Sequence, residues 1–277
     1  MAKSQDNARM SDPVRLGGMA LGNGVLVHGP EHWACAIRTN EGELKVASGR
    51  KAFLAGSAPR PFAGPLKLVE AFAVIPLVQR ALPEVEFPFA RPRIAATMLV
   101  SAAAVRALRA SRLTPAAQET LGALASLVPA AVALRGTALA AYHGAEHISI
   151  GSYEHGEERA KEHERCGSHL VGPLLLTSAA GATIARRVAG PLQPLARVGA
   201  ALGAVAMSVE IFGWMTRNQR HPVARALAYP GHELQHRFVT AEPSAAQLEV
   251  AEAALRECLR LESPARGDGD DAEAPLT

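Results

Sequence analysis

Five of the ten histidines lie between residues 143 and 169, in the segment YHGAEHISIGSYEHGEERAKEHERCGSH. His143 and His147 are four residues apart, so on a helix both imidazoles project from one face, with Glu146 beside them. This is the inverted zincin spacing, in which two histidines bind a metal ion and the glutamate acts on a water molecule. His163 and Cys166 add an imidazole and a thiol, both of which zinc accepts. The segment therefore predicts a metal site, although its histidines could also be solvated side chains of a polar loop.

A second zincin-like pattern, His-Glu-x-x-His, occurs at residues 232–236 as HELQH. Pro230 and Gly231 precede it directly, and residues 240–243 interrupt the chain soon afterwards, so the helix available to it is only about two turns long. No obvious third ligand lies close downstream. We interpret HELQH as a chance match. If it were used, the chain would be a soluble zincin peptidase.

Long apolar runs flank the histidine-rich segment. Residues 120–142 carry one charge, residues 170–185 carry none, and residues 198–216 carry only Glu210. Soluble helices normally show a polar face, and residues 170–185 and 198–209 lack one, so membrane-spanning helices are favoured. A carboxylate inside such a helix needs a partner, which metal, His or Arg would supply, and Glu210 therefore joins the candidate site residues. The alternative is a soluble α-helical bundle, which the mean hydropathy of +0.06 suits.

The residue patterns at the two ends of the chain differ from that of its apolar middle. Residues 25–27, 33–38 and 44–46 predict short strands separated by turns. Ser244 and Gln247 form a capping box at the start of an amphipathic C-terminal helix. The predicted fold is mainly α: a multi-helix integral membrane protein with a small N-terminal β element and a C-terminal amphipathic helix. The predicted segments are 1–13 (disordered), 14–60 (β-containing), 61–240 (membrane helical domain), 241–262 (C-terminal helix) and 263–277 (disordered tail).

The composition of the chain indicates which classes of binding partner to expect. The net charge is +3, and no dense basic stripe with interleaved aromatic residues is present, so nucleic acid is not expected to bind. The three cysteines, Cys35, Cys166 and Cys258, are far apart in sequence, which fits a reduced, cytosol-facing setting. The expected partner is the lipid bilayer, and the expected location is the cell membrane with several spans. The sequence does not identify a protein partner.

The chain resembles the YqhQ-like bacterial membrane proteins, a family of unknown function described as predicted metal-dependent enzymes. Several stretches carry the resemblance, in the order GGMALGNGV, WACAIR, YHGAEH, YEHG, RCGS, HPVARALAYPG and TAEPSAAQLEVAEAAL. The most specific part is YHGAEH followed by RCGS. Asn23 is a departure, because the family usually has Glu there.

The resemblance implies helices in the membrane and a metal site built from His143, Glu146, His147, His163 and Cys166, with an acidic residue in the last apolar helix that Glu210 matches. The expected function is that of a zinc-type hydrolase acting on a membrane substrate, with Glu146 as general acid/base. The alternative is a non-catalytic scaffold or assembly factor in which four protein ligands close a structural metal site.

Overall fold

The computed structural model describes residues 13–51, 63–188 and 190–263. Its first part is a four-stranded antiparallel sheet in the order β1-β2-β3-β4. The strands are β1 (Gly17–Ala20), β2 (Gly24–His28), β3 (His32–Arg38) and β4 (Leu44–Arg50). The predicted strands at 25–27, 33–38 and 44–46 are confirmed. The sequence had not identified β1, which pairs with β2 through Gly17 opposite His28.

Helices make up most of the remaining described residues. Their bounds are α1 (Ala63–Ala73), α2 (Ile75–Ala81), α3 (Pro92–Ala110), α4 (Pro115–Leu134), α5 (Ala138–His155), α6 (Val171–Ala185), α7 (Gln193–Arg217), α8 (Pro222–Leu234) and α9 (Ala245–Glu262). A short 3-10 helix, Gly167–Leu170, precedes α6, and a π-helical turn, Gln235–Val239, follows α8. The predicted class, mainly helical with a small N-terminal sheet, is confirmed to this extent. The predicted disordered ends, 1–13 and 263–277, lie almost entirely outside the described residues.

The central strands β2 and β3 are buried on both faces of the sheet, which explains why they are continuously apolar. Val25 and Val27 of β2 face a core formed with α5 and α9, where Ile150 and Val250 pack. Leu26, between the two valines, faces the opposite way, because successive side chains of a strand alternate. That second core contains residues of α2 and the loop that follows it, including Val78, Leu82 and Phe87.

The C-terminal helix returns to the N-terminal sheet. Its predicted capping box is confirmed: the Ser244 hydroxyl accepts a hydrogen bond from the Gln247 N–H, and the Gln247 side chain accepts one from the Ser244 N–H. Val250, Ala251 and Cys258 are fully buried on the face that packs against β2, β3 and α5. We call the sheet, α5 and α9 together the head.

The apolar run at residues 120–142 suggests a single helix, but the structure divides it between two. Helix α4 ends at Leu134, and α5 begins only at Ala138. Between them Gly136 has φ 68°, a left-handed conformation that residues with a side chain rarely adopt. The break turns α5 away from the apolar helices and into the head, where ten of its residues are buried.

The apolar helices form two hairpins, α3 with α4 and α6 with α7, each packed closely within itself. Three helical segments, Ala117–Leu134, Gly167–Ala185 and Gly190–Arg217, are long and apolar enough to cross a membrane. In the most apolar stretch of each segment only 6%, 22% and 11% of the residues, respectively, are buried within the protein, so most of this apolar surface faces outward.

Candidate metal centre

Helix α5 and the loop after it bring two imidazoles and a thiol together. The ring centroids of His143 and His147 lie 4.3 Å apart, as expected for residues one turn apart on one helix face. Cys166, directly before the 3-10 helix, places its Sγ 3.5 Å from His143 Nε2. The ligand atoms of His143, His147 and Cys166 all lie within 4.8 Å of one another. This group could hold a metal ion.

Hydrogen bonds orient both imidazoles for ligation. His143 Nδ1 is 2.9 Å from the carbonyl oxygen of Val239, and His147 Nδ1 is 2.6 Å from that of Lys161. A carbonyl only accepts, so each Nδ1–H donates, and the lone pair of each ring is left at Nε2. Backbone carbonyls behind ligating histidines commonly set the tautomer in this way. Burial also lowers the pKa of His147, which keeps its ring neutral near pH 7. The donor set therefore fits a metal ion.

Glu146 lies beside the three ligands. Its Oε2 is 3.6 Å from His147 Nε2 and 4.0 Å from His143 Nε2. The side chain is buried, and burial raises the pKa of its carboxyl group, although the neighbouring His143 opposes that shift. Strand β1 covers the carboxylate closely, because a Cβ added at Gly18 would overlap it. Gly18, which belongs to the stretch GGMALGNGV, thus adjoins the candidate site.

His163 lies next to the cluster but has a different partner. Its ring centroid is 5.5 Å from that of His147, while its Nε2–H donates to Glu154 Oε2 at 3.2 Å. Glu154 also forms an ion pair with Arg165. Burial would raise the pKa of Glu154, but the hydrogen bond from His163 and the charge of Arg165 outweigh it and lower that pKa. Sequence reasoning missed Glu154 and Arg165, although both lie in stretches of the resemblance, YEHG and RCGS.

Gln235 holds the loop that carries His163. The residue is fully buried, and its side-chain oxygen accepts from the His163 N–H at 2.8 Å. Its amide nitrogen donates to the His163 carbonyl and to Ser168 Oγ, at 3.1 and 2.7 Å. Gln235 belongs to HELQH, so that segment has a structural role that the zincin pattern did not suggest.

The other HELQH residues have separate contacts. The rings of His232 and His236 are 6.4 Å apart. Glu233 pairs with Arg237, and the largely exposed His236 bonds to Glu162. Within the described residues, the metal-type group is the one on α5 and Cys166.

Glu210 is not brought to this group. It is half-buried on α7, and its carboxylate makes no hydrogen bond or ion pair with the part of the chain that the structure describes. It also does not line the cavity beside the cluster.

A cavity of about 530 Å³ opens beside the cluster. The polar part of its lining consists of His143, Glu146, His147 and Cys166 together with His28, His163, Arg165 and Ser168. The rest is largely apolar and includes Met19, Leu26, Phe72, Leu134 and Leu139. A mainly apolar cavity with a few convergent polar groups is typical of small-molecule sites. Because Leu134 is the last residue of a membrane-length helix, the cavity reaches from the cluster to the base of that helix.

Comparison with known proteins finds a family match over the part of the chain that contains the cluster. Residues 137–261 match a family model described as "Protein of unknown function (DUF1385)". The "Uncharacterized protein YqhQ" of Bacillus subtilis (strain 168) is 33% identical over 135 residues, covering 44% of this chain and 41% of that protein. The chain thus spans about two fifths of the length of that curated relative. No solved structure matches. The resemblance seen in the sequence is confirmed: residues 137–261 are similar to a family of unknown function, and the chain is similar to the YqhQ protein of Bacillus subtilis.

Proposed function

We propose that this chain is a multi-pass protein of the cell membrane that binds a zinc-type ion and hydrolyses a membrane substrate. The observation that carries the proposal is the convergence of His143, His147 and Cys166 within 4.8 Å, with the Glu146 carboxylate beside them and a cavity in front. Two imidazoles and one thiolate suit zinc better than magnesium or calcium, which prefer oxygen ligands.

Three protein ligands are typical of catalytic zinc, since they leave one position open. A bound zinc ion would act as a Lewis acid and lower the pKa of a water molecule in contact with it. Glu146 would hold and return the proton, because its carboxylate faces the Nε2 atoms of both histidines and its burial favours the protonated form at higher pH than usual.

The apolar wall of the cavity and its extension to Leu134 support a substrate with an apolar part, reaching the site from the bilayer. In this arrangement the head stays in water and the two hairpins enter the membrane. The segments 14–60, 61–240 and 241–262 remain our proposed organisation, with the bilayer as the main partner and Glu210 as a group inside it.

One observation favours a second function, that of a non-catalytic scaffold or assembly factor. The His163 ring lies 5.5 Å from the His147 ring, so a rotation away from Glu154 would offer a fourth ligand and close the site. Cobalt(II) in place of zinc separates the two functions. If azide changes the visible spectrum of the cobalt protein, a position is open; an unchanged spectrum supports the closed, structural site.

Metal binding itself is tested in the full chain purified in detergent. We expect zinc to be lost in the His143→Ala, His147→Ala double variant and kept in the His232→Ala, His236→Ala variant, which removes the same number of histidines with the same helical spacing. Zinc retained in the first variant would exclude our site. Zinc lost only in the second would restore HELQH as the site.

A further inference from the structure

The two hairpins leave a groove between them. Helices pack extensively within each hairpin, whereas α4 and α6 make only a few contacts with each other. The groove has a volume of about 330 Å³. Leucine side chains from both hairpins line it, including Leu124, Leu127, Leu174 and Leu175. Leu124 is 57% exposed and Leu175 is 41% exposed, so the protein itself leaves this apolar surface uncovered.

A second pocket of about 210 Å³ continues the groove at the hairpin ends remote from the head. Arg109, Glu119 and Ser178 line both cavities. The pocket adds Arg186, which follows α6, and Arg197 of α7. Three arginines and one glutamate therefore line this pocket.

These arginines have no neutralising partner within the part of the chain that the structure describes. None of Arg109, Arg186 and Arg197 forms an ion pair there, and neither does Glu119. The formal charge of the pocket is therefore positive. The planar guanidinium group bonds phosphate oxygens in pairs, and several such groups around one pocket favour a phosphate-type anion.

We propose that the groove and the pocket together bind one anionic phospholipid. Its phosphate lies among Arg109, Arg186 and Arg197, and one acyl chain lies along the leucines between α4 and α6. The two cavities adjoin in the order that such a lipid requires, and the lipid fills the contact that the hairpins do not make with each other. This inference rests on the membrane placement proposed above and is independent of the metal site.

The test uses the full chain in a neutral detergent and counts bound lipid by native mass spectrometry. Dioleoylphosphatidylglycerol and dioleoylphosphatidylcholine have identical chains and differ in net charge. We expect the wild-type protein to retain the anionic lipid at least about tenfold more than the zwitterionic one. Equal retention of the two lipids would overturn the proposal, and this comparison needs no variant.

Matched variants then locate the site. Arg109→Gln, Arg186→Gln, Arg197→Gln removes three charges from the pocket. Arg106→Gln, Arg112→Gln, Arg187→Gln removes three charges from the same hairpin ends outside it. We expect only the first variant to lose preference for the anionic lipid, by about tenfold. If both variants lose this preference equally, the effect is one of overall charge, and the proposed pocket is wrong. If neither variant loses it, the pocket is also wrong.

Two further measurements separate the alternatives. Glycerol 3-phosphate carries the phosphate without chains, and its competition at the concentration of the lipid would overturn the role of the groove. Zinc content is measured in the same samples. If the Arg109→Gln, Arg186→Gln, Arg197→Gln variant loses lipid but retains zinc, the lipid site is supported as separate from the metal site. If the wild-type protein retains lipid but contains no zinc, only the metal-dependent function is contradicted.

Discussion

The head buries small and apolar side chains, whereas the hairpins leave similar side chains exposed. Helix α5, in the head, and helix α6, in a hairpin, are both rich in small and apolar residues. The first buries ten of its residues against the sheet and α9, while the second buries four. Leu202 of the other hairpin helix, α7, is 68% exposed. Burial within the protein stabilises the head. The apolar faces of the hairpins lack this burial, so they need another apolar environment to cover them.

Polar groups show the same contrast. The head buries ionisable side chains such as His147 and Glu154, which bond to the Lys161 carbonyl and to the His163 ring of the adjoining loop. The hairpins bury hydroxyls that bond across each helix pair: Ser101 donates to the Ala125 carbonyl, and Thr177 donates to that of Ala204. Small hydroxyl residues that join helices at close range are typical of membrane interfaces.

Leu202→Asp has the largest expected effect, which is on membrane insertion, and it tests whether the hairpins differ from the head in their surroundings. If the hairpins lie in a bilayer, an aspartate in the middle of α7 costs about 3 kcal/mol on insertion, so the membrane-bound fraction falls. The control is Val46→Asp on β4, at a side chain that is 43% exposed on the head, where we expect no change in that fraction. If Leu202→Asp leaves the membrane-bound fraction unchanged, or if the wild-type protein is itself soluble without detergent, the soluble-bundle interpretation is correct instead.

Gly144→Ala sharpens the contrast in packing. A Cβ at Gly144 would overlap the carbonyl oxygen of Ala241, where the chain docks on α5 just before α9. Because backbone cannot yield as a flexible side chain does, we expect a loss of about 2 kcal/mol in the free energy of unfolding. Gly199→Ala on α7 is the matched control, since nothing lies near its added Cβ. Thermal unfolding in detergent measures both, and equal losses would contradict the difference in packing.

Glu257 gives the smallest effect, which is confined to the head. Hydrogen bonds from Arg260 and from Ser48 of β4 lower the pKa of Glu257 to about 2, from an ordinary 4.5. A lowered carboxyl pKa stabilises the fold above pH 4.5, and this contribution is lost as the pH falls from 4.5 to about 2. We expect Glu257→Gln to cost about 1 kcal/mol at pH 7 and nothing near pH 2, as measured by urea unfolding. A pH-independent cost would show that the charge is not the cause.

Local patterns determined much of this protein by themselves. The four-residue spacing of His143 and His147 predicts one helix face, the Ser244–Gln247 pair predicts a helix start, and uncharged runs predict helices with outward apolar faces. Each of these signals depends on residues within about one or two helical turns, or on side-chain character summed along one segment. Such information is complete in the sequence, and the structure agrees with it.

Tertiary structure decided what depends on distant residues. The turn at Gly136 separates α5 from α4, the Gln235 amide holds the loop of His163 from 72 residues away, and Glu154 takes His163 as its partner. The return of α9 to the sheet and the groove between α4 and α6 belong to the same class. No periodicity encodes these contacts, because they arise only when whole elements bury their faces against one another. The sequence by itself therefore determined the ligand types and the helix that carries two of them, while packing decided their partners, their burial and the cavities they face.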